Sequence, residues 1–384
     1  MDFQLSDEQE LIRATAREFC EREIVPFARD WDRAEVMDRA IVGRLAEAGY
    51  LGAALPETYG GAGLDTISYS LIAEELGRAD SNVRGIVSVS VGLVCKTIVK
   101  WGTEEQKRAL LGGVCSGHAL GCYALTEPGS GSDPASLETR AVRDGDDWLI
   151  TGSKIFITLG TWASFALVFV RSGGEGARGI TCFVVPTDAA GFSAHPVKGK
   201  LGLRAQDTGE LVLDSVRVPD SARLGDEGAG FKVAMSALDN GRISLAAGCV
   251  GIASGCLDAS VAYARERRQF GKPIASFQLV QELLAEMAVE ADAARLLTWR
   301  AAALSDAGRP HTLESSVAKL YASEVSVRAA NAAVQVHGGY GYVDEYPVGK
   351  YLRDARVTTL YEGTSQIQKL IIGRSLTGES ALVG

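Results

Sequence analysis

The chain has little that would take it to a membrane, a nucleic acid or a metal. No stretch reaches the roughly 18 unbroken apolar residues of a membrane span. The start, Met1-Asp2-Phe3-Gln4-Leu5-Ser6-Asp7-Glu8, is acidic and lacks the apolar centre of a signal peptide. Basic residues are the minority, 39 Lys and Arg against 48 Asp and Glu, a formal charge of −9. That balance supplies no broad surface for a polyanion, although it leaves room for a local basic pocket around a phosphorylated ligand. There are only four histidines, and none of the seven cysteines forms a CxxC pair or lies at ligand spacing from a histidine. Neither a metal site nor a disulfide framework is expected. Cys249 and Cys256, seven apart in a helical pattern, share a face and are expected to pack in a core. Internal repeats and low-complexity segments are absent. The expectation is a soluble, cytoplasmic protein with reduced thiols, without metal, membrane or nucleic-acid partners.

What is present is ordinary globular material, 46% hydrophobic and 23% charged over 384 residues, enough for two or three cores. From Ser6 to about Gly117 apolar residues recur at helical spacing, as in Leu11, Thr15 and Phe19. Between about Leu120 and Pro219 the pattern changes to short β-branched and aromatic runs, such as Phe165-Ala166-Leu167-Val168-Phe169-Val170, bounded by Gly, Pro or Asp. From Gly230 long amphipathic stretches follow, with Ala, Gly and Cys on the stripe Leu238, Leu245, Cys249, Ile252, Cys256, Ala259 and Tyr263. Small residues permit close helix packing. The reading is an α+β protein: a helical domain over 1–118, a middle β domain over 119–226, barrel-like or a sandwich, and a four-helix bundle over 227–384.

Two segments carry chemistry. Tyr123-Ala124-Leu125-Thr126-Glu127-Pro128-Gly129-Ser130-Gly131-Ser132-Asp133 is a glycine- and hydroxyl-rich loop between the first helices and the sheet. Its exposed backbone suits a phosphate or the polar edge of a ring, and equally a plain surface turn. It is not the GxGxxG fingerprint of a dinucleotide fold. Leu360-Tyr361-Glu362-Gly363-Thr364-Ser365 sets a carboxylate just before a helix. Glu362 is then either a first-turn charge favoured by the helix dipole or a general base whose pKa is raised by apolar neighbours such as Tyr361 and Leu360.

These two segments, together with Asp239-Asn240-Gly241-Arg242, Tyr263-Ala264-Arg265-Glu266-Arg267-Arg268-Gln269-Phe270-Gly271-Lys272-Pro273-Ile274 and Gln335-Val336-His337-Gly338-Gly339-Tyr340-Gly341-Tyr342, resemble the acyl-CoA dehydrogenases in order and over nearly the whole chain. The resemblance implies that family's fold and an FAD enzyme that converts an acyl thioester to its trans-2-enoyl form, with Glu362 as the base. Some members carry the base near Asp239, where this chain has Gly241. By resemblance Tyr123, Leu125, Thr126 and Ser132 border the flavin, Ser132 reaching pyrophosphate or substrate. Phe156 stacks on the flavin where the family usually has Trp, and Thr158 meets N5. Arg267, Gln269, Phe270, Gln278, Gln335 and Gly339 resemble the set that holds FAD across a subunit interface, and Thr364 and Gln366 resemble further FAD contacts. Asp239, Arg242 and Gly363 resemble substrate contacts. The partners implied are an acyl-CoA or acyl-carrier-protein thioester, an electron-transfer flavoprotein and the other subunits of a homotetramer.

The substrate's tail is less defined. Arg84 and Ser88, four apart on one helical face, resemble the pair with which glutaryl-CoA dehydrogenases meet a distal carboxylate. An ion pair between helices, or at the surface, is the alternative for Arg84. The sequence therefore leaves a short-chain acyl-CoA enzyme beside one for a polar, dicarboxylic or carrier-bound acyl group, with a non-catalytic binding scaffold as a third reading.

Overall fold

The computed structural model describes residues 4–381. Helices α1 (Asp7–Glu23), α2 (Val25–Ala34), α3 (Ile41–Glu47) and α4 (Thr66–Ala79) open the chain. The Ser6 hydroxyl and Gln9 amide cap α1 reciprocally. Its buried face is Ala16, Phe19 and Cys20, whereas Leu11 points outward at 66% exposure. The inward stripe is thus one position out of phase with the reading from Leu11 and Thr15. A single helical rod follows, from α5 (Ser81–Val87) through a π-helical stretch, Ser88–Cys95, into α6 (Lys96–Trp101); α7 (Glu104–Cys115) closes the segment.

The middle segment is one sheet of seven strands: β1 (Gly121–Ala124), β2 (Arg140–Asp144), β3 (Asp147–Thr158), β4 (Phe165–Arg171), β5 (Ile180–Pro186), β6 (Phe192–Pro196) and β7 (Thr208–Pro219). The spatial order is β1-β4-β2-β3-β7-β6, with β5 paired to β4. β1 runs parallel to β4, with Gly121 opposite Phe165, while β3 and β7 are antiparallel. Their register slips twice, between Ile150 and Gly152 and between Lys154 and Ile157. The second irregularity leaves Phe156 at φ +60°, turned out of the ladder and 64% exposed.

The last segment holds α8 (Gly230–Glu266), a ribbon of β8 (Arg268–Gln269) and β9 (Lys272–Pro273), α9 (Gln278–Asp306), α10 (Thr312–His337), α11 (Val348–Thr358) and α12 (Ser365–Thr377). Its core is made of small residues, among them Ala246, Cys249, Cys256, Ala294, Ala322 and Ala330. The rod Ser81–Trp101 and α8 are apolar enough to cross a membrane by length and composition, but 83% and 67% of their apolar windows are buried inside the protein. α8 threads between α4 on one side and α9 and α10 on the other. At the α4 crossing a Cβ on Gly251 would lie 2.0 Å from the backbone oxygen of Glu74. Gly251→Ala should therefore lower the thermal unfolding midpoint: overpacking costs about 1–3 kcal/mol or more, against a helix-propensity gain of about 1 kcal/mol. An unchanged midpoint would mean that the two helices separate freely.

Candidate active site

A cavity of about 360 Å³ opens where the π-helical rod, the loop after β1, the end of β3, α8 and the turn before α12 meet. A larger one, about 620 Å³, lies between α2 and the segment 341–353. Several of the charges there are paired, Asp32 with Arg353, Asp344 with Arg33 and Lys350 with Asp354. The smaller cavity is bordered by a buried carboxylate oxygen without a hydrogen-bond partner, that of Glu362.

Glu362 stands at the centre of it. Glu362 and Gly363 take left-handed φ values of +54° and +90°, which fold the chain sharply between α11 and α12. Both carbonyls of this turn are held from behind. Gln368 Nε2 donates to each at 3.0 Å, Arg242 Nε donates to that of Glu362 at 3.4 Å, and Lys319 Nζ donates to that of Gly363 at 2.7 Å. The Glu362 N–H has no acceptor among the described residues. One face of the Glu362 side chain looks into the cavity, so the residue is half-buried, yet Oε2 is sealed from solvent and has no hydrogen-bond partner. Burial drives its pKa up to about 6, against the opposing pull of Arg84, Lys319 and Arg242. The apolar cover differs from the sequence expectation. Leu360 is 49% exposed, and it is Leu93 that meets the carboxylate across Gly241, where a Cβ would come 2.5 Å from Leu93 and 2.6 Å from Oε2. The absent side chain at 241 is the space the carboxylate uses.

Arg84 lies at another wall of the cavity, 3% exposed. Its Nη1 donates to Ser88 Oγ at 3.0 Å and its Nη2 to the Tyr361 hydroxyl at 2.8 Å. No carboxylate lies within ion-pair distance of it among the described residues, so neither a surface nor an interhelical ion pair accounts for it. Ser88 Oγ is in turn 2.8 Å from Ser244 Oγ. Gly248 makes room for the arginine, since a Cβ there would meet Arg84 Cδ at 2.1 Å.

Tyr123, Leu125, Thr126, Ser132, Phe156, Thr158, Arg242 and Gly363 line the same cavity. The residues present fit a flavin. Phe156 offers an open aromatic face at the rim, and Thr158 Oγ1 accepts from Gln206 Nε2 at 3.2 Å, which leaves its own proton free for a ring nitrogen. A buried pair steadies the loop: Lys154 Nζ bonds Glu127 Oε1 at 2.7 Å and the Leu125 carbonyl at 3.2 Å, and Glu127 accepts the N–H groups of Glu138 and Thr139.

Other named residues lie apart. Arg267, Gln269 and Gly339 line a separate cavity of about 560 Å³ with Tyr263, His337 and Tyr340. Phe270 beside it is 92% exposed, and Gln278 and Gln335 are exposed as well. Thr364 spends its hydroxyl as the cap of α12, accepting from the Ile367 N–H at 3.2 Å, and Gln366 is exposed. Asp239 faces a neighbouring cavity and pairs with Arg242 at 3.0 Å and with the Thr312 hydroxyl at 2.7 Å. Sequence reasoning missed Lys319, Gln368, Gln206 and the pair Lys154 and Glu127. For Lys319 a signal existed, a charge in register with the small residues Ser315, Ala318 and Ala322 of α10, all of them buried.

Comparison with known proteins agrees over the full length. The chain matches the N-terminal domain of acyl-CoA dehydrogenases at residues 6–118, the middle domain at 122–216 and the C-terminal domain at 228–377. It is 42% identical to the short-chain specific acyl-CoA dehydrogenase of Clostridium acetobutylicum, across 97% of this chain and 98% of the relative. The butyryl-CoA dehydrogenase of Megasphaera elsdenii superposes with a TM-score of 0.96 at 39% identity, covering 98% of this chain and all of that one. The glutaryl-CoA dehydrogenase of Mycobacterium smegmatis does so with 0.94 at 41% identity, covering 99% and 97%.

Burial of Glu362 carries a stability consequence. Its folded pKa of about 6 lies above the ordinary value of 4.5, so between those pH values the native state holds more protons and stability falls as pH rises. Fully ionised, the carboxylate costs up to about 2 kcal/mol. Glu362→Gln should therefore raise the melting midpoint at pH 7, with the gain fading below about pH 4.5. Midpoints that coincide at every pH would mean the carboxylate is solvated.

Proposed function

Because the chain belongs to the acyl-CoA dehydrogenase family of flavin-dependent oxidoreductases, we propose that it uses FAD to convert a short acyl-CoA thioester to its trans-2-enoyl product, with Glu362 as the base. The observation that carries this reading is the dry, unpartnered Oε2 in a cavity bordered by the flavin-directed residues. An α-proton beside a thioester is too weakly acidic for an ordinary carboxylate in water. The site meets that difficulty in two ways: it excludes water from Oε2 and raises the carboxylate's pKa, and it leaves the Glu362 N–H free to bond the thioester oxygen as negative charge develops there. FAD, when bound, accepts the hydride that leaves Cβ. Phe156 would stack against its ring, Thr158 would bond its edge, and Arg242 and Asp239 would receive the thioester's carrier arm.

The remaining cofactor-directed residues fall in a separate cavity, beside the exposed Phe270 and exposed Gln278 and Gln335. The reading that accounts for both sets is a homotetramer in which one FAD would reach across neighbouring copies and each subunit would complete another's site. An electron-transfer flavoprotein is the proposed acceptor. Arg84 supports a second reading of the tail. A buried guanidinium bonded only to neutral partners is costly unless the substrate brings a countercharge, so a carboxylate- or hydroxyl-tailed acyl group, on CoA or a carrier protein, would fit better than a methyl end.

Two measurements test these readings. Glu362→Gln should keep FAD and bind a product analogue but slow single-turnover flavin reduction by at least about three orders of magnitude, because an amide cannot take the proton. Near-normal reduction would move the base elsewhere. Arg84→Leu should cut kcat/KM for a carboxylate-tailed thioester by roughly ten- to a hundredfold while leaving or improving that for butyryl-CoA. Parallel loss on both, or no change on either, would return Arg84 to the scaffold and the enzyme to the simple short-chain class.

A further inference from the structure

Lys319 is fully buried on α10, and the Gly363 carbonyl, at 2.7 Å, is its one hydrogen-bond acceptor among the described residues. No carboxylate lies within ion-pair distance of it there. The charged and titratable groups around it come from three elements. From the turn before α12 there is Glu362, from α8 Arg242 and Cys249, and from α10 itself Glu324. Three of these four are already engaged or neutral. Arg242 is paired with Asp239 at 3.0 Å, Glu324 accepts the Ser365 hydroxyl at 2.6 Å, and burial pushes the Cys249 thiol up, so it stays protonated. Only the Glu362 carboxylate remains unpartnered. An ammonium is expensive to bury, and packing alone would be served by an apolar side chain.

We propose that Lys319 is a positioning residue for the base: its ammonium clamps the Gly363 carbonyl so that the Glu362 N–H and carboxylate face the cavity, and its charge keeps that carboxylate ionisable in a site without water. The inference rests on Glu362 being the base. Two opposite demands meet in one residue. Dryness makes the carboxylate a stronger base but also threatens to leave it permanently protonated. A cation behind the turn, out of the substrate's path, offsets part of the burial without offering Oε2 a hydrogen bond that would blunt it. Burial lowers the lysine's own pKa to about 8, which leaves it charged at neutral pH. Gln368 Nε2 also donates to the Gly363 carbonyl at 3.0 Å, so one donor to the turn remains when the lysine is replaced.

The test uses the FAD-loaded enzyme with butyryl-CoA, following single-turnover flavin reduction from pH 5 to 9 in the wild type, Lys319→Met and Lys319→Gln. In both variants the acid limb is expected to move up by about one pH unit, a tenfold loss of rate at pH 5.5. The alkaline plateau is expected to fall in Lys319→Met and to fall less in Lys319→Gln, whose shorter side chain keeps a neutral donor on that side of the turn. Calorimetry of product-analogue binding in two buffers of different ionisation enthalpy reads the same shift, as altered proton uptake, without turnover. An acid limb that stays at its wild-type position in a folded variant would overturn the inference, as would failure of both variants to fold, which would assign the lysine to the scaffold. Failure of the underlying reading looks different: there Glu362→Gln would still reduce the flavin.

Discussion

A carboxylate oxygen kept dry and without a hydrogen-bond donor is the constraint on which the rest of the site depends. It can exist only because several parts of the chain, far apart in sequence, agree to leave it alone. Leu93 from the π-helical rod and the bare backbone of Gly241 on α8 close around Oε2. Gln368, Arg242 and Lys319 hold the carbonyls of the left-handed turn, so that its N–H and side chain are the groups presented to the cavity. Each of these is an ordinary packing or hydrogen-bonding event. Their sum is a destabilised group, which a fold with large helical and sheet cores can tolerate.

The sheet contributes in the same manner. β3 carries Lys154 inward to Glu127 by its ordinary alternation, in register with Leu211, and the slip between Lys154 and Ile157 then turns Phe156 outward at the cavity rim. One strand therefore carries both the anchor of the loop at 123–133 and, past its irregularity, the ring at the cavity rim. A buried ion pair of this kind is a poor source of stability, since desolvation offsets most of its attraction. Its contribution is geometric: it fixes the Leu125 carbonyl and so the path of the loop that follows.

Much of this was legible in the sequence because the relevant signals are local. Periodicity separated helices from strands, and contiguous motifs pointed to Glu362, the loop at 123–133 and the cysteines of α8, which pack in the core. What was not legible depends on contacts between distant residues. Nothing near Leu360 announces that it turns outward while Leu93 provides the apolar cover. Gln206 and Gln368 are single amides in unremarkable surroundings until Thr158 and the Glu362 turn are brought to them. Lys319 was missed although a local signal existed, a lysine on an Ala- and Ser-lined helical face that breaks the pattern by which such a face is recognised. Leu11 shows the opposite failure, an apolar residue at helical spacing on the solvent side.

The wide turns at Ser88–Cys95 also act as a phase adjuster. In a regular α-helix nine residues carry Leu93 about half a revolution away from Arg84, so one of them would face away from the cavity. Hydrogen bonds that span an additional residue unwind the rod by a fraction of a turn for every residue they include. Arg84 and Leu93 consequently reach the same cavity from one continuous helix. The rod works like a shaft with an offset key: the part before the wide turns brings Arg84 to one wall of the cavity, the part after them brings Leu93 to the side of Glu362, and the angle between the two is stored in the backbone rather than in any side chain.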